Sequence, residues 1–244
     1  AGDWAEERPG VRPGGWAFQY NNDHYPDLDD TAVVVMAMDR AGGTDRMPID
    51  RGIEWTAGLQ SKDGGWGAFD ADNAYDYLNN LPFADHGALL DPPTADVTAR
   101  CVSMLAQLGE PVDGPRMTAA LGWLARAQEA DGSWFGRWGV NYIYGTWSVL
   151  CALNAGGIAP AEPIVARATG WLKAIQNPDG GWGEDCESYA LDRTGHTPAP
   201  STASQTAWAL LGLMAAQEVD SDAVARGIAW LAAHQEEDGL WGQD

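Results

Sequence analysis

The chain has 244 residues, with 14 Lys plus Arg against 35 Asp plus Glu, a formal charge of −21. That balance argues against a nucleic-acid partner, because neutralising phosphates takes a basic stripe and even the richest basic stretch here is interrupted by acids. At 45% hydrophobic and 20% charged residues the composition is globular rather than disordered, and no stretch approaches the roughly 18 to 20 apolar residues of a membrane span or reads as a secretory signal.

In chain order, Gly14-Gly15-Trp16 reads as the end of a cut-off repeat, and Thr31–Met38 as a first, strongly apolar helix. A second helix runs from Arg51 through Trp55 to Gln60 and is stopped by Asp63-Gly64 before Trp66. The same ladder recurs at Trp123, Gln128, Asp131, Gly132 and Trp134, at Trp171, Gln176, Asp179, Gly180 and Trp182, and at Trp230, Gln235, Asp238, Gly239 and Trp241. Val97–Leu108, Thr146–Leu153 and Thr206–Ala216 supply the first helices of the later units.

Four ungapped copies of one ladder are architecture rather than chance. Repeated helix pairs stack as a solenoid or close as a ring, and the apolar first helices favour burial inside a ring, so the expected class is all-α, an α/α toroid. Each Gln amide is expected to bond backbone groups at the next helix end while the Trp covers it, a structural staple. The start at Ala1 without Met and the stop just after Trp241 suggest a fragment.

Insertions fall in one phase of the repeat, after the Trp turn: Ala17–Asp30, Ala68–Ala95, Phe135–Gly145 and Gly183–Ala203. Loops in one phase of a toroid emerge on one face, where binding residues concentrate. The first insertion ends in Asp27-Leu28-Asp29-Asp30, and three carboxylates within four residues cannot all ionise cheaply, so one is expected to stay protonated and able to donate. A helix N-terminus opposes this by favouring the anion, and the plain alternative is a cap at Asp30 with solvated neighbours. The same loop phase carries Trp16, Phe18, Tyr20, Tyr25, Trp66, Phe69, Trp134, Phe135, Trp138, Tyr142 and Tyr144. An acid beside aromatic faces, which stabilise a cation without trapping it, suits carbocation chemistry; Trp16 and Trp66 are candidates there as well as structural residues.

Metal signals are weak. Asp70 to Asp76 resembles a calcium loop but lacks glycine at the sixth position and has Leu81 at the twelfth. His24, His86, His196 and His234 show no ligand spacing, and Cys101, Cys151 and Cys186 suggest neither a disulfide framework nor a zinc ribbon but a reducing compartment.

The blocks Pro13–Phe18, Tyr25–Ala32, Gly64–Phe69, Asp91–Ala99, Gly132–Thr146 and Asn177–Cys186, with the Gln/Trp ladder, resemble squalene–hopene cyclase and its QW repeats over essentially the whole chain. The resemblance implies most of the catalytic α/α-barrel domain of a two-domain triterpene cyclase over residues 1–244, without the parent's N-terminal half and extreme C-terminus, and too small to enclose a C30 substrate alone. It implies that the acidic D-x-D-D motif falls on Asp27, Asp29 and Asp30, with Asp29 the proton donor. Phe18, Phe69 and Trp138 match cation-stabilising aromatics, and Tyr144 matches a tyrosine that reprotonates or polarises the acid. Asp96 and Arg100 match a segment where well-known members pair His with the upstream Asp; Arg stays charged at any working pH and polarises without relaying a proton. Phe69 stands where Tyr is frequent and His86 where an aromatic is.

The resemblance further implies cyclisation of squalene to hopene or hopanol with no metal or organic cofactor, at the cytoplasmic face of a bacterial membrane, as a peripheral protein and in a homodimer. At −21, membrane contact should be apolar. Cyclisation of a diterpenyl diphosphate is the near alternative, without a basic cluster to support it. A glycan-processing toroid using two carboxylates or a purely structural repeat are the distant ones.

Overall fold

In a computed structural model, residues 3–43, 45–75, 90–189 and 194–242 are described. His86, Asp76 and Leu81 lie outside them, as do parts of the second and fourth insertions. A single-turn α1 (Trp4–Glu7) precedes a ribbon of two-residue strands, β1 (Trp16–Ala17) and β2 (Pro26–Asp27), with Trp16 opposite Asp27. Four helix pairs follow: α2 (Leu28–Ala41) with α3 (Met47–Gly58), α4 (Ala95–Gln107) with α5 (Pro115–Arg126), α6 (Tyr142–Ala155) with α7 (Pro163–Ala174), and α8 (Ala203–Ala215) with α9 (Asp222–Ala233). The ribbon is the departure from all-α expectation: two paired residues per strand are too few to show as alternation in the sequence.

The chain divides into two compact units, Ala1–Arg126 and Ala127–Asp244. In the first, α2 packs on α3 and α4, and α4 on α5; in the second, α6 packs extensively on α8, with α7 against both and α9 against α8. The first helices run two to four residues further N-terminal than their apolar stretches predict, because each begins on residues that only the folded chain shows to be helical. Burial differs among these helices: α6 is buried over five consecutive residues from Tyr142 to Thr146 and α4 over Ala95 to Ala99, whereas Val33 of α2 and Leu211 and Met214 of α8 are exposed. Apolar composition all round thus becomes burial all round on α6 but not on α8.

The Gln staple is as expected, with a specific acceptor. Gln60 Nε2 donates to Gly64 O (2.8 Å) and to Arg116 O (3.1 Å) in the first turn of α5. Gln128 does so to Gly132 O and Ile164 O of α7 (both 2.9 Å), and Gln176 to Gly180 O (2.8 Å) and Ala223 O of α9 (2.9 Å). The groups bonded are carbonyls with a spare lone pair, not the orphan N–H groups of the helix start. Arg167 and Arg226 close the far side by donating to the Oε1 of Gln128 and Gln176. The glycine of the turn is fixed twice over: Gly180 has φ +98°, and a Cβ there would lie 3.0 Å from Arg226 O. Removing the amide in Gln176→Ala takes a donor from two carbonyls and an acceptor from Arg226, so stability should fall by about 1–3 kcal/mol in urea unfolding.

A second ladder stands beside the first. The N–H groups of Trp16, Trp66, Trp134 and Trp182 donate to the Oγ1 atoms of Thr31, Thr98, Thr146 and Thr206, at 2.8, 3.0, 3.0 and 3.0 Å. Each Thr is fully buried near the start of a first helix. Trp16 shares this bond with the tryptophans of the later copies.

Candidate active site

The acidic segment enters α2 directly. Asp27 is its N-cap, in extended conformation, with Oδ1 accepting from Asp30 N (2.8 Å), so the cap lies at Asp27 rather than Asp30. Leu28 is fully buried and its N–H donates to Ala68 O (2.8 Å), which ties the turn after Trp66 to the same helix start. Asp29 and Asp30 follow in the first turn, where the helix dipole favours anions.

Burial outweighs that dipole. Asp27, 7% exposed, is pushed up to about 7, chiefly by desolvation, with the charges of Asp30 and Asp29 adding to it. Asp29 is pushed up to about 6, again first by desolvation; Arg100 pulls it back, and the charges of Asp96 and Asp30 push it further up. Burial raises Asp30 as well. The fold thus raises the proton affinity of all three carboxyls, with desolvation the main cause and, for Asp27 and Asp29, crowding a secondary one.

Arg100 and Asp96 reach the acid from α4, which packs on α2. Arg100 Nε lies 3.0 Å from Asp29 Oδ1, both side chains about a quarter exposed, and Asp96 is buried at 1% exposure. Cys101, fully buried, has its thiol pushed up by desolvation first and then by the charges of Asp29 and Asp27. Asp27, Asp29, Asp30, Asp96 and Arg100 thus form one cluster in the first unit.

Because the folded chain binds protons at Asp27 and Asp29 that an unfolded carboxylate, near 4, has already lost, stability falls as pH rises between about 4 and 7. Asp27→Asn keeps an acceptor for Asp30 N–H and cannot ionise. Its melting temperature should exceed that of the parent sequence at pH 8 and match it at pH 4; the same offset at both pH values would refute this origin.

The aromatic candidates are scattered in environment. Phe18 (74% exposed) lies on the loop between β1 and β2, whereas Trp16 and Phe69 are half-buried in the same unit. Trp66 is fully buried and its indole N–H donates to Thr56 O (2.8 Å), a structural bond. In the second unit Trp138 is 46% exposed with the Arg137 guanidinium 5.2 Å from its ring. Tyr144, 8% exposed, meets Trp147 and Trp208 edge-on at 5.4 and 5.0 Å, and those two indoles stack at 5.9 Å. Trp147 and Trp208 escape a sequence reading of the insertions because they lie within first helices rather than on the loop phase.

Sequence reasoning also misses two buried acids. Asp91 accepts the N–H groups of Ala68, Phe69 and Asp70 (2.9, 2.6 and 2.7 Å), fixing the backbone that carries Phe69. Glu184 accepts those of Asn141, Tyr142 and Ile143 (3.1, 3.0 and 2.9 Å). Among the described residues no group of three His, Cys, Asp or Glu is placed to hold a metal. In the calcium-like stretch, Asp72 is engaged by Arg8 (2.7 Å) and Lys62 (3.4 Å). No described helix is long and apolar enough to cross a membrane.

Residues 1–244 match the model of the squalene-hopene cyclase C-terminal domain. The chain belongs to the squalene-hopene cyclase family. It is 64% identical to the squalene–hopene cyclase of Zymomonas mobilis, covering 100% of this chain and 38% of that protein, and 64% identical to that of Bradyrhizobium diazoefficiens, covering 98% and 37%. The Alicyclobacillus acidocaldarius squalene–hopene cyclase is 47% identical over 98% of this chain and 38% of its own length. The chain thus spans just over a third of the length of these curated relatives.

Among solved structures, the type II terpene cyclase MstE from Scytonema matches with a TM-score of 0.69 at 21% identity, covering 97% of this chain and 63% of that one. That likeness shows the α/α-toroid fold expected from the repeats. A polysaccharide lyase also matches, with a TM-score of 0.54 at 16% identity, covering 98% and 72%. The fold alone therefore does not choose between cyclase and glycan chemistry.

Proposed function

We propose that the full-length squalene-hopene cyclase carrying this segment protonates a terminal double bond of squalene and cyclises it to hopene or hopanol. The observation that carries the reading is Asp29: a carboxyl pushed up to about 6 by burial, 3.0 Å from a permanent cation, at the acidic motif of a chain 64% identical to squalene–hopene cyclases. Asp29 gives its proton to the alkene carbon, the electron pair of each further double bond closes the next ring, and the final cation either loses a proton or takes up water, which then releases one of its protons. The carboxylate left behind regains a proton before the next turnover.

Arg100 stabilises the carboxylate that forms, and Asp27, Asp30 and Asp96 set the proton affinity of the cluster. Phe18, Phe69 and Trp138 offer ring faces to the travelling cation, with Trp16 and Trp66 as supporting rings. Tyr144 is the group that polarises or reprotonates the acid. Protonation of an alkene needs neither metal nor organic cofactor. A membrane-soluble substrate supports work at the cytoplasmic membrane surface, held there by apolar contacts of the full-length protein.

The test uses the full-length protein in detergent with squalene and, separately, geranylgeranyl diphosphate, and gas chromatography with mass spectrometry of the extracted products. Cyclised C30 hydrocarbon or alcohol is the expected result. Product from the diphosphate alone would overturn the substrate and move the enzyme to diterpene cyclisation.

A further inference from the structure

The start of α6 is capped from far away in sequence. Asn141 stands at the N-cap, but its side chain does not cap; its Nδ2 donates instead to Ser188 Oγ (2.9 Å). The N–H groups of Asn141, Tyr142 and Ile143 go to Glu184, whose Oε2 takes two of them and Oε1 the third. Charge-assisted bonds of this kind are about twice as strong as neutral ones, and a carboxylate at a helix start is further favoured by the dipole.

Glu184 is itself pinned. Its N–H donates to Gln205 Oε1 and its carbonyl accepts from Gln205 Nε2, both at 3.0 Å, so an amide on α8 grips the backbone of the residue that grips α6. Both side chains are buried, at 5% and 6% exposure.

The residue immediately after this capped segment is Tyr144. Its ring is confined by the loop that Glu184 anchors at Asn141: a Cβ on Gly136 would come within 3.0 Å of the ring, and one on Gly139 would run into it. Asn141 O accepts from both Gly136 N (3.0 Å) and Gly145 N (2.9 Å), closing the loop on the helix around the tyrosine. One side chain thus fixes both the helix turn that carries the ring and the loop that covers it.

We infer that Glu184 is a positioning residue for the cyclisation, acting through the first turn of α6 to hold Tyr144, with Gln205 holding Glu184 in place. This rests on the role of Tyr144 under Proposed function. Glu184→Gln is the informative change: an amide has one acceptor oxygen, and its NH2 would face a backbone N–H that has to be accepted. Misplacement of a reacting group by about an ångström costs on the order of 100-fold.

Steady-state kinetics on squalene with the full-length enzyme would compare Tyr144→Phe, Glu184→Gln and the double variant, with thermal melts confirming folding. The expected result is a kcat reduced by about 10- to 100-fold in Glu184→Gln with KM within about twofold of the parent sequence. The double variant should be no slower than the slower single one, because both changes remove the same contribution.

Losses that multiply in the double variant, or parental kcat in a folded Glu184→Gln, would overturn the inference. Where Glu184→Gln fails to fold, Gln205→Leu replaces it in the cycle; it leaves the carboxylate and frees its backbone, and must show the same non-additive fall in kcat for the inference to stand. Parental kcat in Tyr144→Phe alone would overturn the assignment of Tyr144 itself, and the inference with it, while leaving Asp29 and the substrate to the product assay.

Discussion

Replacing Asp29 with Asn in the full-length cyclase is expected to lower squalene turnover by about 10²–10⁴-fold, with the protein still folded. The amide is nearly isosteric and sits at a site that already favours a neutral group, since desolvation holds Asp29 up to about 6. What it removes is the proton. Asp27 is committed to the helix cap through Asp30 N–H, and Asp96 lies on α4 at 1% exposure. Product analysis by gas chromatography gives the readout. Turnover of Asp29→Asn within a few-fold of the parent sequence would assign the acid elsewhere.

Arg100→Gln should move the pH profile in a direction the structure dictates. With Asp29 as the acid proposed above, the reacting form is the protonated one, so the rate should be level below about pH 6 and fall roughly tenfold per unit above it. Arg100, 3.0 Å away, lowers the proton affinity of Asp29; its removal raises that affinity, displacing the alkaline limb upward by about one to three units. The acid level of the profile should fall at the same time, because the carboxylate formed on proton transfer has lost its counter-charge. Arg keeps its charge throughout, so the limb reports the carboxyl cluster rather than titration of its cationic partner. A limb that stays in place, or moves to lower pH, would show that Arg100 does not act on the acid.

The repeats are legible in the sequence because they are local. Helix spacing, the Asp-Gly stop and the Gln/Trp ladder are written within about twenty residues, and the staple needs only a glutamine two residues past a helix end. The acidic cluster is visible in the sequence as Asp27, Asp29 and Asp30, although the larger cause of its raised proton affinity, burial, exists only once α4 covers α2.

Asp91 and Glu184 are not legible. Each is an acid in a polar loop, indistinguishable in sequence from a solvated one, and each bonds amides 21 to 43 residues away. The threonines are within reach: Thr31, Thr146 and Thr206 read as starts of apolar helices, and only their shared register with Trp16, Trp134 and Trp182 escapes notice until the bonds are seen.

That Trp-to-Thr bond has a consequence for how much change the insertions can absorb. It pinches the root of each insertion at the same two atoms whatever lies between, across 12 residues from Trp134 to Thr146 and 32 from Trp66 to Thr98. Closing the longer loop instead of the shorter costs only about 1 kcal/mol in chain entropy, because that cost grows with the logarithm of length. The helical frame is thereby insulated from what hangs between its clamps, so the length and sequence of an insertion can change without disturbing the packing beneath it.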